Sequence, residues 1–322
     1  MSVESRPKIS VIIPAYRVTE YIAEALDSVL AQTFTDYEIV VVNDGCPDTA
    51  ALESVLAPYL DKIVYLKQEN SGLAAARNTA IRAARGEFIA LLDSDDAWEP
   101  DYLALQLAAL EADPSASVVY PNGVVIGDSP QAGRLLMDLS PSEGPADFEG
   151  IVRLRCQVVV SVLARREAVV RAGLFDPELR AVEDFDLWLR MALGGHKFIY
   201  HRKPLFRYRR RGDSLSSNSV WMRQCAMRVL EKIEREFNLN ARDRAALEAG
   251  KIRFQADIEY FKGREALAKG DVRGAIRGFS SANRQWRLRG LAMKIRMLRL
   301  FPKITLALAR WRDTVPSSRP PK

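Results

Sequence analysis

The sequence predicts an α/β protein with a mainly parallel central sheet, helices on both faces and a C-terminal helical extension. Over the first 120 residues, short apolar runs alternate with segments of helical periodicity, an order typical of parallel strands joined by crossover helices. From about residue 219 onward the pattern is helical and charged. We therefore expect an α/β domain at residues 1–216 and a helical extension with a basic amphipathic tail at 217–322.

The predicted strands of the first part are continuous apolar runs rich in β-branched residues, as expected for strands buried on both faces. They span 9–13, 37–42, 63–66 and 87–92. The segments between them predict helices: one that follows a cap at Thr19, one over 47–60, and one that runs from a cap at Ser71 to residue 84.

The remainder of the predicted domain is less regular. Residues 121–150 are rich in Gly, Pro, Asp and Ser, which predicts a loop. A strand is expected at 156–164, a short helix at 166–172 closed by Gly173, an amphipathic helix at 181–193, and short strands at 197–200 and 205–208.

Composition excludes several classes of protein. The chain has 322 residues, 48% hydrophobic and 27% charged, which argues against collagen-like and wholly disordered proteins. Its three cysteines form no CxxC pair, which argues against a disulfide scaffold or a zinc ribbon and fits a reducing compartment. Without a signal-like N-terminus or an apolar run of about 20 residues, we expect a cytoplasmic protein, soluble or peripheral on the inner membrane face.

The positive charge is concentrated at the C-terminus. Residues 284–322 contain eleven Lys and Arg and one acid, so this segment carries +10 and the rest of the chain −4, which gives the net +6. The basicity therefore belongs to the tail and predicts no nucleic-acid partner for the main domain.

Polar clusters follow three of the predicted strands, at Pro14-Ala15-Tyr16, at Asn43-Asp44-Gly45 and at Asp93-Ser94-Asp95. The carboxyl ends of parallel strands meet at one edge of a sheet, and ligands of open α/β sheets bind in the crevice there. We therefore expect the three clusters to lie together at a ligand site.

Asp93, Asp95 and Asp96 would repel one another unless a cation or hydrogen-bond donors neutralise them. Mg²⁺ or Mn²⁺ is the expected partner, because Mg²⁺ typically takes one or two carboxylates together with substrate phosphates. The alternative is an acidic cap on the following helix. The position after a buried strand, beside two other polar clusters, favours the metal.

These residues resemble a known family. The runs ISVIIPAYRVTEYIAEALDSVLAQTFTDYEIVVVNDG and NSGLAAARNTAIRAARGEFIALLDSDD are similar to the family 2 glycosyltransferases. The resemblance is strong over residues 8–120 and looser over 155–216. It implies the GT-A fold and a nucleotide-diphosphate sugar, most simply a UDP-sugar, as donor.

The resemblance also implies roles for individual residues. Tyr16 would pack on the nucleotide base, Asp44 would accept a hydrogen bond from it, Arg77 would approach the diphosphate and Asp95 would bind the metal. The donor-binding residues are expected to be Pro14, Ala15, Tyr16, Asp44, Gly72, Arg77, Asp93, Ser94 and Arg211. The alternatives are a tyrosine packed at the rim, a turn aspartate and a surface arginine. Cys46 stands where the family commonly has a serine.

On the acceptor side, Glu183 and Asp184 open the predicted helix that carries Trp188. They resemble the family's "ED" motif, which makes Asp184 the general base and places Glu183 and Trp188 near the acceptor. A helix N-terminus stabilises an ionised carboxylate, and the alternative is an ordinary acid pair at a helix start.

Residues 208–216 resemble the family's "YRxHxxSxS" segment, with Arg211 in the place of a histidine that often helps to hold the metal. We expect Arg211 to contact the diphosphate instead, since a guanidinium matches phosphate geometry. The alternative is a solvated basic loop.

Two C-terminal segments each allow more than one interpretation. Residues 260–282 resemble one tetratricopeptide-type hairpin, which favours a single helical hairpin over a peptide-binding array. Residues 291–311 alternate apolar and basic residues. The sequence equally predicts a segment on anionic lipid, within the tail 285–322, and a helix packed on the main domain with its basic face in solvent.

The sequence thus predicts a metal-dependent, inverting hexosyltransferase of cell-envelope polysaccharide biosynthesis, acting on a glycan or lipid-linked acceptor. A nucleotidyltransferase would need a Gly-rich, Lys-containing loop after the first strand, where this chain has PAYRVTE, and no GxGxxG supports a dehydrogenase. The alternative left open is a catalytically degenerate GT-A scaffold that acts through its helical tail.

Overall fold

The structure is a computed structural model that describes residues 6–212 and 218–306. The chain divides into two compact units, Met1–Arg211 and Gly212–Lys322. The predicted boundary between residues 216 and 217 lies outside the described residues and stays a prediction. The end of the 208–216 segment and the tail beyond residue 306 also lie outside them.

The first unit is built on one eight-stranded sheet with the order β3-β2-β1-β4-β7-β6-β8-β5. Among the described residues, four of its seven strand pairings are parallel and three are antiparallel. The strands are β1 (Ile9–Ala15), β2 (Tyr37–Asp44), β3 (Ile63–Gln68), β4 (Phe88–Leu91), β5 (Ala97–Trp98), β6 (Ala116–Gly127), β7 (Leu163–Arg165) and β8 (Lys197–Arg210). The predicted α/β class with a mainly parallel sheet is confirmed, and antiparallel β5 and β7 make the sheet mixed.

Helices cover both faces of this sheet. The helices of the unit are α1 (Ile22–Leu30), α2 (Thr49–Leu56), α3 (Leu73–Ala83), α4 (Tyr102–Ala112), α5 (Leu136–Leu139), α6 (Phe148–Val152), α7 (Arg166–Arg171) and α8 (Glu183–Leu193). Val11 and Ile13 of β1 join a core with α1 and α4. Ile12 points to the other face, where α3 packs, and is equally buried.

Two predicted helix caps are wrong. Thr19 donates its hydroxyl proton to Asp48, and Tyr21 stands at the N-cap of α1. Ser71 donates to the carbonyl of Glu69, and Gly72 is the N-cap of α3. In both places a tertiary or loop contact takes the hydroxyl group that a local pattern assigns to the helix.

The predicted loop over 121–150 is also wrong in part. β6 continues to Gly127, and α5 and α6 follow it. Conversely, the predicted strand at 156–164 pairs only as β7, although Val158 and Val162 are buried. The two short strands expected near residues 200 and 206 form one strand, β8.

The second unit is helical, with α9 (Ser219–Glu236), α10 (Ala241–Ala268), α11 (Val272–Trp286) and α12 (Arg289–Leu300). α10 and α11 form the expected hairpin. Their backbones approach so closely at Gly278 that a Cβ there would lie 2.6 Å from the Glu259 carbonyl oxygen. Among the described residues, none of the helices has the length and apolar composition that a bilayer-spanning segment requires.

Candidate active site at the sheet edge

The register of the central strands brings the three polar clusters together. Ala15 at the end of β1 lies opposite Asn43 of β2, and Ile12 lies opposite Leu91 of β4. The residues that follow these strands therefore leave the same edge of the sheet side by side, as the topology predicts.

Tyr16 and Cys46 border the first part of this edge. The Tyr16 side chain is 39% exposed, with the Arg17 guanidinium 5.3 Å from its ring centre. The Cys46 thiol accepts a hydrogen bond from the Arg17 backbone N–H and donates to Asp48. A thiol that replaces the family's usual serine thus still ties the two loops together. The sequence pointed to Cys46 but not to these bonds.

Asp44 organises the loop that leads into α3. Its buried carboxylate accepts hydrogen bonds from Gln68 Nε2 at 2.7 Å and from the backbone N–H groups of Ser71 and Gly72 at 2.9 Å each. Gly72 has φ +88° and ψ 164°, which only glycine adopts readily. A Cβ on Gly45 would lie 2.5 Å from the Asn70 backbone nitrogen. The contact with a base stays a prediction, and the structure shows a carboxylate that fixes this loop.

The acids after β4 have different surroundings. The side chains of Asp93 and Asp95 are 27% and 21% exposed, whereas Ser94 and Asp96 are buried. Asp96 accepts a hydrogen bond from the Arg209 backbone N–H at 2.7 Å. Burial, and then the charges of Asp93 and Asp95, raise the pKa of Asp96 well above its usual range. Asp93 and Asp95 are therefore the members of this cluster that a ligand can reach.

Arg77 links an acid that follows β4 to an acid at the start of α8. Its side chain on α3 is buried, and its guanidinium donates to Asp93 Oδ1 at 2.5 Å and to the Glu183 carboxylate. Burial alone would lower the pKa of Arg77, but the charges of Asp93 and Glu183 outweigh burial and raise it. Its approach to a diphosphate stays a prediction, and the structure shows a cation shared by two carboxylates.

Asp184 is the second residue of α8, which starts just after a strained backbone position. The residue before the acid pair, Val182, has φ +55° and ψ 28°. This left-handed conformation is unfavourable for a β-branched side chain, and such strain concentrates at functional sites. Burial, and then the charge of Glu183, raise the pKa of Asp184 to about 7, against the opposing charge of Arg77. A carboxylate with this pKa is suited to proton transfer near neutral pH.

The rest of α8 is fixed in the core. Arg190 pairs with the fully buried Asp186 at 2.7 Å and donates to the Leu174 carbonyl at 2.6 Å. Trp188 is buried and packs edge-on against Phe198, with ring centres 6.1 Å apart. Trp188 thus supports the helix from inside, and its predicted place on the acceptor side stays a prediction.

Arg211 lies over the acid cluster from the end of β8. Its Nε is 3.3 Å from Asp95 Oδ2. The guanidinium groups of Arg209 and Arg211 lie 5.0 and 5.2 Å from the ring centre of Tyr21, and Glu24 pairs with Arg209. No local pattern indicates the role of Tyr21, because the contact joins residues about 190 positions apart.

The acids at this edge fit a divalent cation that a substrate shares. Burial and then the charge of Asp93 raise the pKa of Asp95, although Arg211 opposes this, so negative charge at Asp95 is only partly compensated. Within residues 6–212 and 218–306, no group of three or more His, Cys, Asp and Glu is arranged to hold a metal by itself. The carboxylates of Asp93 and Asp95 alone suit Mg²⁺ or Mn²⁺, because such an ion binds one or two carboxylates and completes its coordination with phosphate oxygens and water.

Comparison with known proteins places the chain in a family. The model of the family described as Glycosyl transferase family 2 matches residues 10–170, half of the chain. The chain belongs to glycosyltransferase family 2. This confirms the resemblance drawn from the sequence.

Relatives in sequence agree with this membership. The chain is 30–33% identical to four Rickettsia glycosyltransferases but spans only 27–58% of their length. It is 29% identical to TuaG of Bacillus subtilis, named for teichuronic acid biosynthesis, over 71% of this chain and 90% of TuaG.

Two solved structures with a similar fold are TarS and a mannosyltransferase. S. aureus TarS 1–349 with UDP-GlcNAc is 20% identical, with a TM-score of 0.64, over 95% of this chain and 88% of that one. The Pyrobaculum calidifontis mannosyltransferase PcManGT with GDP-Man and Mn²⁺ is 19% identical, with a TM-score of 0.60, over 97% and 88%. The GT-A fold expected from the sequence is thereby confirmed.

Proposed function

We propose that the protein is an inverting, metal-assisted glycosyltransferase that moves a sugar from a UDP-sugar to a hydroxyl group of a glycan or lipid-linked acceptor. The observation that carries the proposal is the pairing of Arg77 with both Asp93 and Glu183. It sets the proposed base, Asp184, next to the acids that follow β4.

The donor would lie along the edge formed by the loops after β1, β2 and β4. The half-exposed ring of Tyr16 offers a face for the base, beside the loop that Asp44 and Gly72 hold. Support for a UDP-sugar comes from TarS, which was solved with UDP-GlcNAc and with UDP. Pro14, Ala15 and Ser94 would complete this donor site from the strand ends.

Asp184 would accept the proton of the acceptor hydroxyl as that oxygen attacks the anomeric carbon. The new bond forms on the face opposite the nucleotide while the bond to the departing diphosphate breaks, so one displacement inverts the anomeric centre. The α8 N-terminus stabilises the ionised carboxylate, and Arg77 keeps Glu183 paired, which leaves Asp184 for the acceptor hydroxyl.

Asp95, with Asp93 beside it, would hold Mg²⁺ or Mn²⁺, which when bound supplies positive charge for the departing diphosphate. PcManGT, solved with Mn²⁺, supports this assignment. Arg211 adds a guanidinium at the same place, and Tyr21 and Glu24 hold the basic end of β8 there.

The acceptor is proposed to belong to the cell envelope. TuaG supports a role in envelope polysaccharide biosynthesis. The protein would meet a glycan or lipid-linked acceptor as a cytoplasmic, peripheral protein on the inner membrane face, with the segment 285–322 toward anionic lipid.

Donor hydrolysis and transfer assays test this function. UDP-, GDP- and dTDP-sugars are incubated with the protein, with Mn²⁺ and with EDTA, and the anomeric configuration of the product is read by NMR. We expect turnover of a UDP-sugar that needs the metal and gives an inverted product. A retained configuration excludes the single displacement, and no turnover of any donor favours the degenerate scaffold.

A further inference from the structure

The outward face of α12 and the residues that follow it, up to Ile304, expose an apolar stripe. Among the described residues, nine large hydrophobic side chains are exposed, and four of them lie within residues 293–304. They are Met293 at 66%, Leu300 at 63%, Phe301 at 50% and Ile304 at 57%. Met293, the half-buried Met297 and Leu300 follow at i, i+4 and i+7, so they share one face of the helix.

The opposite face already holds α12 in its unit. Leu291, Ile295 and Leu298 are buried in the hydrophobic cluster of the helical unit, together with Phe279 of α11. Their spacing is again i, i+4 and i+7. The exposed stripe is therefore a second apolar face, which residues 218–306 of this unit leave uncovered.

The stripe is flanked by basic residues. Residues 289–306 contain five basic residues and no acid. Arg289, Arg296, Arg299 and Lys303 are exposed, and Lys294 lies 4.5 Å from the ring centre of Phe279. An apolar face flanked by Lys and Arg is the composition of a helix that lies in the interface of a lipid bilayer.

The basic charge, together with the apolar stripe, distinguishes between the candidate partners. A second copy of the chain would bring two such basic faces together, and a nucleic acid would leave the apolar stripe uncovered. An anionic lipid surface satisfies both features, because the acyl boundary covers the apolar side chains and the phosphates pair with the guanidinium groups.

We propose that the lipid face, defined as Met293, Met297, Leu300, Phe301 and Ile304 with Arg296, Arg299 and Lys303, binds an anionic lipid bilayer. This proposal names the residues that would bring the protein to the membrane in the proposed function. It rests on that function only for the reason why the protein should bind a membrane. Binding to lipid does not require that the sheet edge transfer a sugar.

Vesicle flotation of the full chain tests the proposal, with phosphatidylcholine vesicles with and without phosphatidylglycerol. We expect binding to the anionic vesicles only, weakened by salt. R296E/R299E should lower the bound fraction at least tenfold, given about fivefold in partition for each basic residue near the surface. L300S/F301S should also lower it at least tenfold, because it removes apolar surface that the bilayer would bury. Deletion of residues 285–322 is unsuitable, because it removes the buried Leu291, Ile295 and Leu298.

Matched controls separate loss of the face from loss of the fold. L60S and I252S alter comparably exposed apolar residues elsewhere, and R273E/R277E alters exposed charges on α11. These variants should bind vesicles as the unaltered chain does, and all variants should keep its circular dichroism and donor turnover. Equal binding to both vesicle types, no binding to either, or no effect of R296E/R299E would overturn the proposal, as would a dimer that L300S/F301S dissociates.

Discussion

The sheet edge and the lipid face of α12 both carry features that cost the isolated protein stability, and they do so in opposite ways. At the sheet edge, carboxylates are withdrawn from water, and Arg77 and Arg211 compensate them only in part. On α12 and just after it, apolar side chains are left in water beside exposed basic ones. The first arrangement suits a small, charged ligand that enters between side chains. The second suits an extended surface that covers a whole face.

The largest effect is expected for Arg77→Gln, which tests the buried charges at the sheet edge. Removing the guanidinium leaves the buried Glu183 and the adjoining Asp93 without their shared cation, and breaking such a buried pair typically costs about 3–5 kcal/mol. Urea unfolding should show this loss in the free energy of unfolding. Arg82→Gln, exposed on the same helix, should leave stability unchanged, and equal stability of both variants would show that the pairing contributes nothing.

The next largest effect is expected for Asp184→Asn. If Asp184 takes the acceptor proton, kcat should fall at least ~10²-fold while the dissociation constant for UDP is unchanged, given typical contributions of a general base. Steady-state kinetics and calorimetry measure the two quantities. Glu178→Gln, an exposed acid before α8, serves as control. A matching loss of UDP affinity would move Asp184 out of the base role.

The pH profile sharpens the same assignment. Because burial and Glu183 raise the pKa of Asp184 to about 7, the ionised base is present above that pH and is lost as pH falls through it. We expect kcat/KM to fall below about pH 7. Glu183→Gln removes one of the charges that raise the pKa of Asp184, so it should move this acid limb to lower pH. An unmoved limb would assign the titration to another group.

The smallest of these effects concerns Tyr21. Tyr21→Leu removes the ring that lies against Arg209 and Arg211, and a cation–π contact contributes about 0.5–2 kcal/mol. The KM for the donor should rise about 2- to 30-fold, with little change in kcat. Tyr59→Leu is the matched control, and an unchanged KM would show that Tyr21 does not position the arginines.

Much of the first 120 residues could be predicted because the information there is local. Apolar runs of β-branched residues report strands buried on both faces, and the polar residues after them report the sheet edge. Residues 121–127 are predicted as a loop but belong to β6, because glycine in this strand allows close packing instead of marking a turn. A Cβ on Gly123 would lie 2.5 Å from the Phe206 ring, and Gly127 has φ +89°. Residues 156–162 mislead in the other direction, since apolarity reports burial and not pairing.

The residues of the candidate site also fall into those that local motifs indicate and those that depend on tertiary packing. Asp93, Asp95 and Asp184 stand where strand ends and a helix start place them, so sequence motifs find them. The Arg77–Glu183 pair joins residues 106 positions apart, and the contact of Tyr21 with Arg211 is longer still. Such partners depend on how elements pack, and no periodicity or spacing reports them.

Calorimetric titration of UDP into the protein, with Mn²⁺ and with EDTA, tests the central claim that the acids after β4 hold a cation and a diphosphate. We expect UDP binding that requires Mn²⁺ and that Asp95→Asn weakens at least tenfold, while Asp128→Asn, an exposed control, leaves UDP binding unchanged. UDP binding that is equal without the metal and in Asp95→Asn would contradict it.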